Sequence, residues 1–94
     1  NMFISQVIFE SEIENKDIIK KIMDKKSTNI KSAPGLISSE CWWKESTNTV
    51  GFSLVSKWND KEAFKYWMKE SHKGGHKKLD IKITKTAYQF TPVD

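Results

Sequence analysis

The chain has 94 residues and a formal net charge of +4, a size that holds one domain with a thin core. Its basic side chains are all lysines, interleaved with Glu and Asp, which argues against a sequence-specific nucleic-acid reader, since such readers lean on the guanidinium fork. A single cysteine, Cys41, excludes an internal disulfide and a Cys-built zinc cluster, and no apolar run approaches the roughly 20 residues that span a bilayer.

Asn1 precedes Met2, the expected native start, so residues 2–94 are read as one domain. No basic-then-apolar leader pattern follows, and the expected location is the cytoplasm. Met2 to Phe9 is rich in β-branched and aromatic residues and predicts a strand. Phe3, Val7 and Phe9 share one face with Ser5 between them; Ile4 and Ile8 share the other with Gln6 between them. A helix follows, with Asn15 or Asp17 as its cap. Ile18, Ile19, Ile22, Met23, Ile30 and Ala33 fall within an arc of about 140°, with Lys16, Lys20, Lys21, Lys25 and Lys31 mostly outside it. Pro34-Gly35 stops this helix and turns the chain.

Leu36 to Lys44 predicts the second strand, Glu45 to Thr49 a polar connection, and Val50 to Trp58 the third strand. Asn59, with Glu62 three residues on, has the capping-box pattern and predicts the start of a second helix. Ala63, Phe64, Trp67, Met68 and Ser71 occupy one face of it, and Gly74-Gly75 ends or bends it. The segment from Leu79 to Phe90 contains the last strand, with Ile81, Ile83 and Ala87 on one face and Tyr88 and Phe90 on the other.

The order β-α-β-β-α-β, with right-handed crossovers, predicts an α+β ferredoxin-like sandwich with both helices on one face of an antiparallel sheet. The strands carry apolar groups on both faces, and two helices cover only one. A second copy packed on the bare face resolves this, so a homodimer is expected.

Few residues can carry chemistry. There is no glycine-rich phosphate loop and no nucleophile elbow. Gln6 is an amide between apolar neighbours; it either bonds a neighbouring side chain or lines a cavity between sheet and helices. Trp67 either fills the core or walls a flat apolar ligand site. His72 and His76 stand four apart, a spacing that two metal-binding histidines on one helix face would have, but no third ligand accompanies them. His76 follows two glycines, and is either an exposed loop residue or an inward imidazole able to ligate heme iron or act as a base. Cys41 reads as a buried, inert thiol.

Three runs then form a pattern: Ala33-Pro34-Gly35-Leu36; Val55 through Trp58 to Trp67; and His72-Lys73-Gly74-Gly75-His76. Together they resemble the antibiotic biosynthesis monooxygenase (ABM) domain family, which has a small-Pro-Gly-apolar step, a Trp ending the third strand, a second Trp nine residues on and a nearby His. The resemblance spans nearly the whole chain and implies a dimeric α/β barrel built from two ferredoxin-like units. Within that family, the Trp pattern of the Isd-type heme-degrading monooxygenases resembles Trp58 and Trp67 here. On that likeness His76 is the axial ligand of the heme iron, Trp67 presses on the porphyrin, Phe64 lines the cofactor site and Gln6 stands where an Asn is expected. Gln6, Trp67 and His76 are then the catalytic set. Heme would be both substrate and cofactor, with electrons from an external donor. The alternatives are a cofactor-independent oxygenase of an aromatic or quinol compound, and a non-enzymatic binding domain. In each the partner is a small planar hydrophobic ligand, with no nucleic acid and no membrane.

Overall fold

The computed structural model describes residues 1–73 and 79–93. Four strands and two α-helices alternate in the expected order: β1 Phe3–Glu12, α1 Lys16–Asn29, β2 Leu36–Glu45, β3 Thr49–Trp58, α2 Lys61–Ser71 and β4 Thr84–Phe90. The sheet runs β2-β3-β1-β4 with every neighbouring pair antiparallel, the ferredoxin-like arrangement. The last strand begins later than Leu79; Ile81 and Ile83 precede it in irregular chain yet still pack on the core.

Period-two alternation in β1 is realised along its length. Phe3, Ser5, Val7, Phe9 and Ser11 are buried and turn toward the helices, while Ile4, Gln6 and Ile8 turn away and are half-buried. In β3, Val50, Phe52, Ser56 and Trp58 join the buried face. The helices close over this face in two clusters. One joins Phe3, Ile30, Ala33, Trp58 and Phe64; the other joins Val7, Phe9, Ile19, Val50 and Phe52. Tilted and edge-on ring contacts knit the first, with Phe64 5.1 Å from Phe3 and 5.8 Å from Trp58, and Phe9 stacks on Phe52 at 4.8 Å in the second.

Helix ends follow local hydrogen bonding, with one departure from expectation. Asn15 occupies the N-cap of α1 but makes no capping bond; its amide instead donates to Ser11 Oγ at 2.9 Å. Asn59 does not cap α2. Its backbone N–H donates to Gly35 O at 2.9 Å, which ties it to the chain entering β2. The cap moves on to Asp60, whose Oδ1 accepts from the Ala63 N–H at 2.8 Å. Gly35 itself has φ 84°, and a Cβ there would lie 2.6 Å from Ala63 Cβ, so both its backbone conformation and the approach of α2 require glycine.

The face turned from the helices stays open. Trp42 is 59% exposed, and Tyr88 and Phe90 are each 47% exposed, with their rings stacked 6.4 Å apart. At one margin of this face Gly51 stands between Glu10 and Lys44 on the flanking strands. With no side chain in between, Lys44 Nζ reaches Glu10 Oε2 at 2.6 Å.

Candidate functional site

Between the two helices and the covered face of the sheet lies a cavity of ≈ 810 Å³, within the usual size of a small-molecule site, about 300–1,000 Å³. Its existence follows from side-chain sizes. Where β1 and β3 carry Phe3 and Phe52, the core is filled; where they carry Ser5 and Ser56, the sheet recedes. Helix α2 supplies Phe64, Trp67 and Met68 to the wall, and α1 supplies Ile22, with Leu54 and Ile83 from the sheet side. Trp67 and Phe64, the two residues of α2 expected at the site, both line this cavity. Phe64 is part of the sealed core, and Trp67 is only partly buried, between that core and the slot.

Gln6 is elsewhere. It lies on the helix-free face, where its Nε2 donates to Ser53 Oγ at 3.2 Å. This corrects the expectation that it lines the cavity between sheet and helices: an even position on β1 cannot face the slot when the odd positions do. The residue of the first strand that does is Ser5, 3% exposed and lining the slot opposite Ser56, its cross-strand partner. Ser56 Oγ accepts from Trp58 Nε1 at 2.9 Å. The Ser5 hydroxyl makes no hydrogen bond among the described residues. Since no side-chain N or O there is both sealed and unpartnered, this hydroxyl opens to the slot.

His76, expected as the iron ligand, lies outside the described residues, as do Gly74 and Gly75. His72 stands at the mouth of the slot, just past α2, with Nδ1 against the Met68 carbonyl. Among the described residues no group of three or more His, Cys, Asp or Glu side chains could hold a metal ion. Cys41 faces the core between sheet and α1; burial pushes its thiol pKa up and the nearby Asp24 pushes it further, so the nucleophilic thiolate is disfavoured. Trp43 is anchored outside the slot, with its Nε1 donating to Glu45 Oε1 at 3.0 Å and the Lys20 ammonium 5.6 Å from its ring.

Three lysines missed by the sequence reading line one end of the slot: Lys25, Lys26 and Lys85. Lys26 Nζ lies 5.2 Å and Lys85 Nζ 5.8 Å from the centroid of the Phe9 ring. Partial burial lowers the Lys26 pKa, and the charges of Lys85 and Lys25 lower it further. A sequence signal for Lys26 did exist. It is seven residues after Ile19, four after Ile22 and three after Met23, which sets it inside the apolar arc of α1.

The fold is that of the antibiotic biosynthesis monooxygenases. A Bacillus cereus chain described as one of these superposes with a TM-score of 0.66 at 20% identity, covering 99% of this chain and 96% of that one. MhuD, a heme-degrader from Mycobacterium tuberculosis with two hemes bound in its active site, gives 0.71 at 15% identity, over 97% and 95% of the two chains. SnoaB, a cofactor-independent oxygenase from Streptomyces nogalater, gives 0.67 at 11% identity, over 100% and 96%. No family model matches the sequence, and no curated relative does. At such identities the likeness is one of fold, and the chemistry has to be argued from the slot.

Proposed function

We propose that this chain is a small oxygenase of the ABM type that takes a planar aromatic ligand into the slot between its helices and its sheet. The observation that carries the reading is the slot itself: ≈ 810 Å³, walled by Trp67, Met68 and Leu54, with the hydroxyls of Ser5 and Ser56 and the side chains of Lys25, Lys26 and Lys85 among its polar lining. A flat ligand gains apolar burial between α2 and the sheet, and the few polar groups orient it. Heme is the first candidate. The apolar walls suit porphyrin faces, the lysine end suits its carboxylates, and MhuD shares the fold. Bound heme would supply the iron at which oxygen is activated. The chain's own part would be to exclude water with Trp67 and Met68, hold the carboxylates by charge, and offer the Ser5 hydroxyl as a hydrogen-bond donor. His76 is the proposed iron ligand, and electrons would come from an external donor.

Hemin titration of the pure protein tests this. A histidine-ligated visible spectrum that decays on adding ascorbate is the expected result, and H76A should abolish the ligated spectrum. No binding at micromolar hemin removes heme from the reading.

A second reading has its own support, since the polar groups on the slot floor are the hydroxyls of Ser5 and Ser56 and the amide of Gln6 is on the opposite face. Hydroxyls suit a phenolic or quinol substrate, as in a cofactor-independent oxygenase such as SnoaB. In both readings the working unit is a homodimer, because Trp42, Tyr88 and Phe90 leave an aromatic surface that a second copy would cover.

A further inference from the structure

On the slot floor two buried hydroxyls face each other, and neither gives its proton to the fold. Ser5 on β1 and Ser56 on β3 are cross-strand partners, each 3% exposed and each lining the slot. Among the described residues no hydrogen bond joins them, and the Ser5 hydroxyl makes none with any other group. A hydroxyl buried to this degree and open to a cavity is satisfied by whatever fills that cavity.

Ser56 is held from behind. Its Oγ accepts from Trp58 Nε1 at 2.9 Å, and Trp58 is 0% exposed, so the indole N–H has no route to water. That bond occupies one lone pair of Ser56 on the core side and leaves its O–H to be donated elsewhere. Accepting the indole proton also polarises the hydroxyl and makes it a stronger donor. Directly opposed Cβ atoms on neighbouring antiparallel strands stand about 4.5–5.5 Å apart. From that spacing two hydroxyls can meet on one oxygen at about 2.7–2.8 Å from each. No Asp or Glu is among the described residues that line the slot, so no carboxylate competes for these protons. Its charged side chains are Lys25, Lys26 and Lys85, and His72 stands at its mouth.

We infer that Ser5 and Ser56 form a two-donor oxyanion site on the slot floor, with Trp58 as the positioning residue that aims Ser56. A ligand hydroxyl that reaches this floor is bound as its oxyanion, and its proton leaves to solvent. Two O–H donors favour the charged form over the neutral one, because charge-assisted hydrogen bonds are roughly twice as strong. The inference rests on the slot being the ligand site. It adds which atoms of the chain meet the ligand's charge, and it gives a sealed core tryptophan a part in the site.

The ionisation of bound 6-cyano-2-naphthol tests it, since the two protonation states of this phenol absorb differently. The probe is titrated with pH on the parent chain, S5A and S56A, each variant removing one oxygen and little volume. Each should raise the bound pKa of the probe by about one relative to the parent, a tenfold shift in its ionisation. The three lysines and His72 are the same in all three chains, so the difference isolates the hydroxyls. The Trp58 indole N–H resonance should move as the probe ionises on the parent chain and stay still in S56A. A resonance that stays still in the parent would remove Trp58 from the site. W67A should weaken binding of the probe. Binding that W67A weakens, with the bound pKa unmoved by S5A and by S56A, would overturn the inference and leave the slot standing as a ligand site. No binding to the parent chain would overturn both the inference and the proposed function beneath it.

Discussion

Both faces of the sheet carry apolar side chains, and the fold treats them differently. On the covered face, Trp58, Phe52 and Val50 are sealed by the helices to 0% exposure. On the bare face, Trp42, Tyr88 and Phe90 stay in solvent around a half-buried middle of Ile4, Gln6 and Ile8. One face holds the monomer together and, where Ser5 and Ser56 replace large residues, leaves room for a ligand. The other contributes little to the single chain's stability and makes sense as a surface for a second copy. A residue's type therefore says less about its role here than the parity of its position does.

The widest gap between the faces should appear on truncating one tryptophan from each. Trp58→Ala removes a fully buried ring that packs on Phe64 and accepts no replacement from solvent, and should cost about 3–5 kcal/mol of unfolding free energy. Trp42→Ala, under conditions where the chain is monomeric, should stay within about 0.5 kcal/mol of the unaltered protein. Urea unfolding at low protein concentration measures both. Comparable losses at the two positions would mean that the bare face is already structural in the monomer.

Charge placed on the bare face sharpens the comparison from the other side. Trp42→Glu and Tyr88→Glu alter side chains that the single chain leaves 59% and 47% exposed, so folding should survive. Burying either carboxylate against another apolar sheet would be costly. Sedimentation velocity over a range of concentrations should show the parent chain self-associating and the double variant monomeric. A parent that stays monomeric at high concentration would refute the second copy as the cover of this face.

What the sequence made legible divides along the same line. Element order, sheet type and the presence of two apolar faces follow from periodicity alone, because alternation and 3.6-residue repeats are local properties. Which face the helices cover is not local. Gln6 drew attention as an amide among isoleucines, and that reasoning was sound for its own face, where it bonds Ser53. The slot lies on the other face, where the informative feature is the reverse: small serines among aromatics, at Ser5 and Ser56. Trp67 and Phe64 turn toward the sheet because α2 carries a single apolar stripe and so has only one face to bury. Lys26 was not singled out, although its spacing from Ile19 set it apart from Lys16, Lys20 and Lys21.

The smallest of these effects tests how the second helix is started. A capping box at Asn59 and Glu62 is what the local pattern suggests, but Asn59 spends its backbone N–H on Gly35 O and the capping bond comes from Asp60. The shift by one residue keeps Asn59 in line with β3 and fastens the step at Gly35, where α2 comes within 2.6 Å of the Cβ that any other residue would carry. Asp60→Ala should therefore lose about 1 kcal/mol, from the unsatisfied Ala63 N–H and from the loss of a negative charge at the helix N-terminus. Asn59→Ala keeps its backbone bond to Gly35 and should lose only a few tenths of that, within the scatter of surface substitutions. Thermal unfolding of the two variants side by side reads the difference directly. If Asn59→Ala proves the more damaging, the side chain at 59 is the working cap, and the turn joining the sheet to the wall of the slot is held differently from the way its hydrogen bonds indicate.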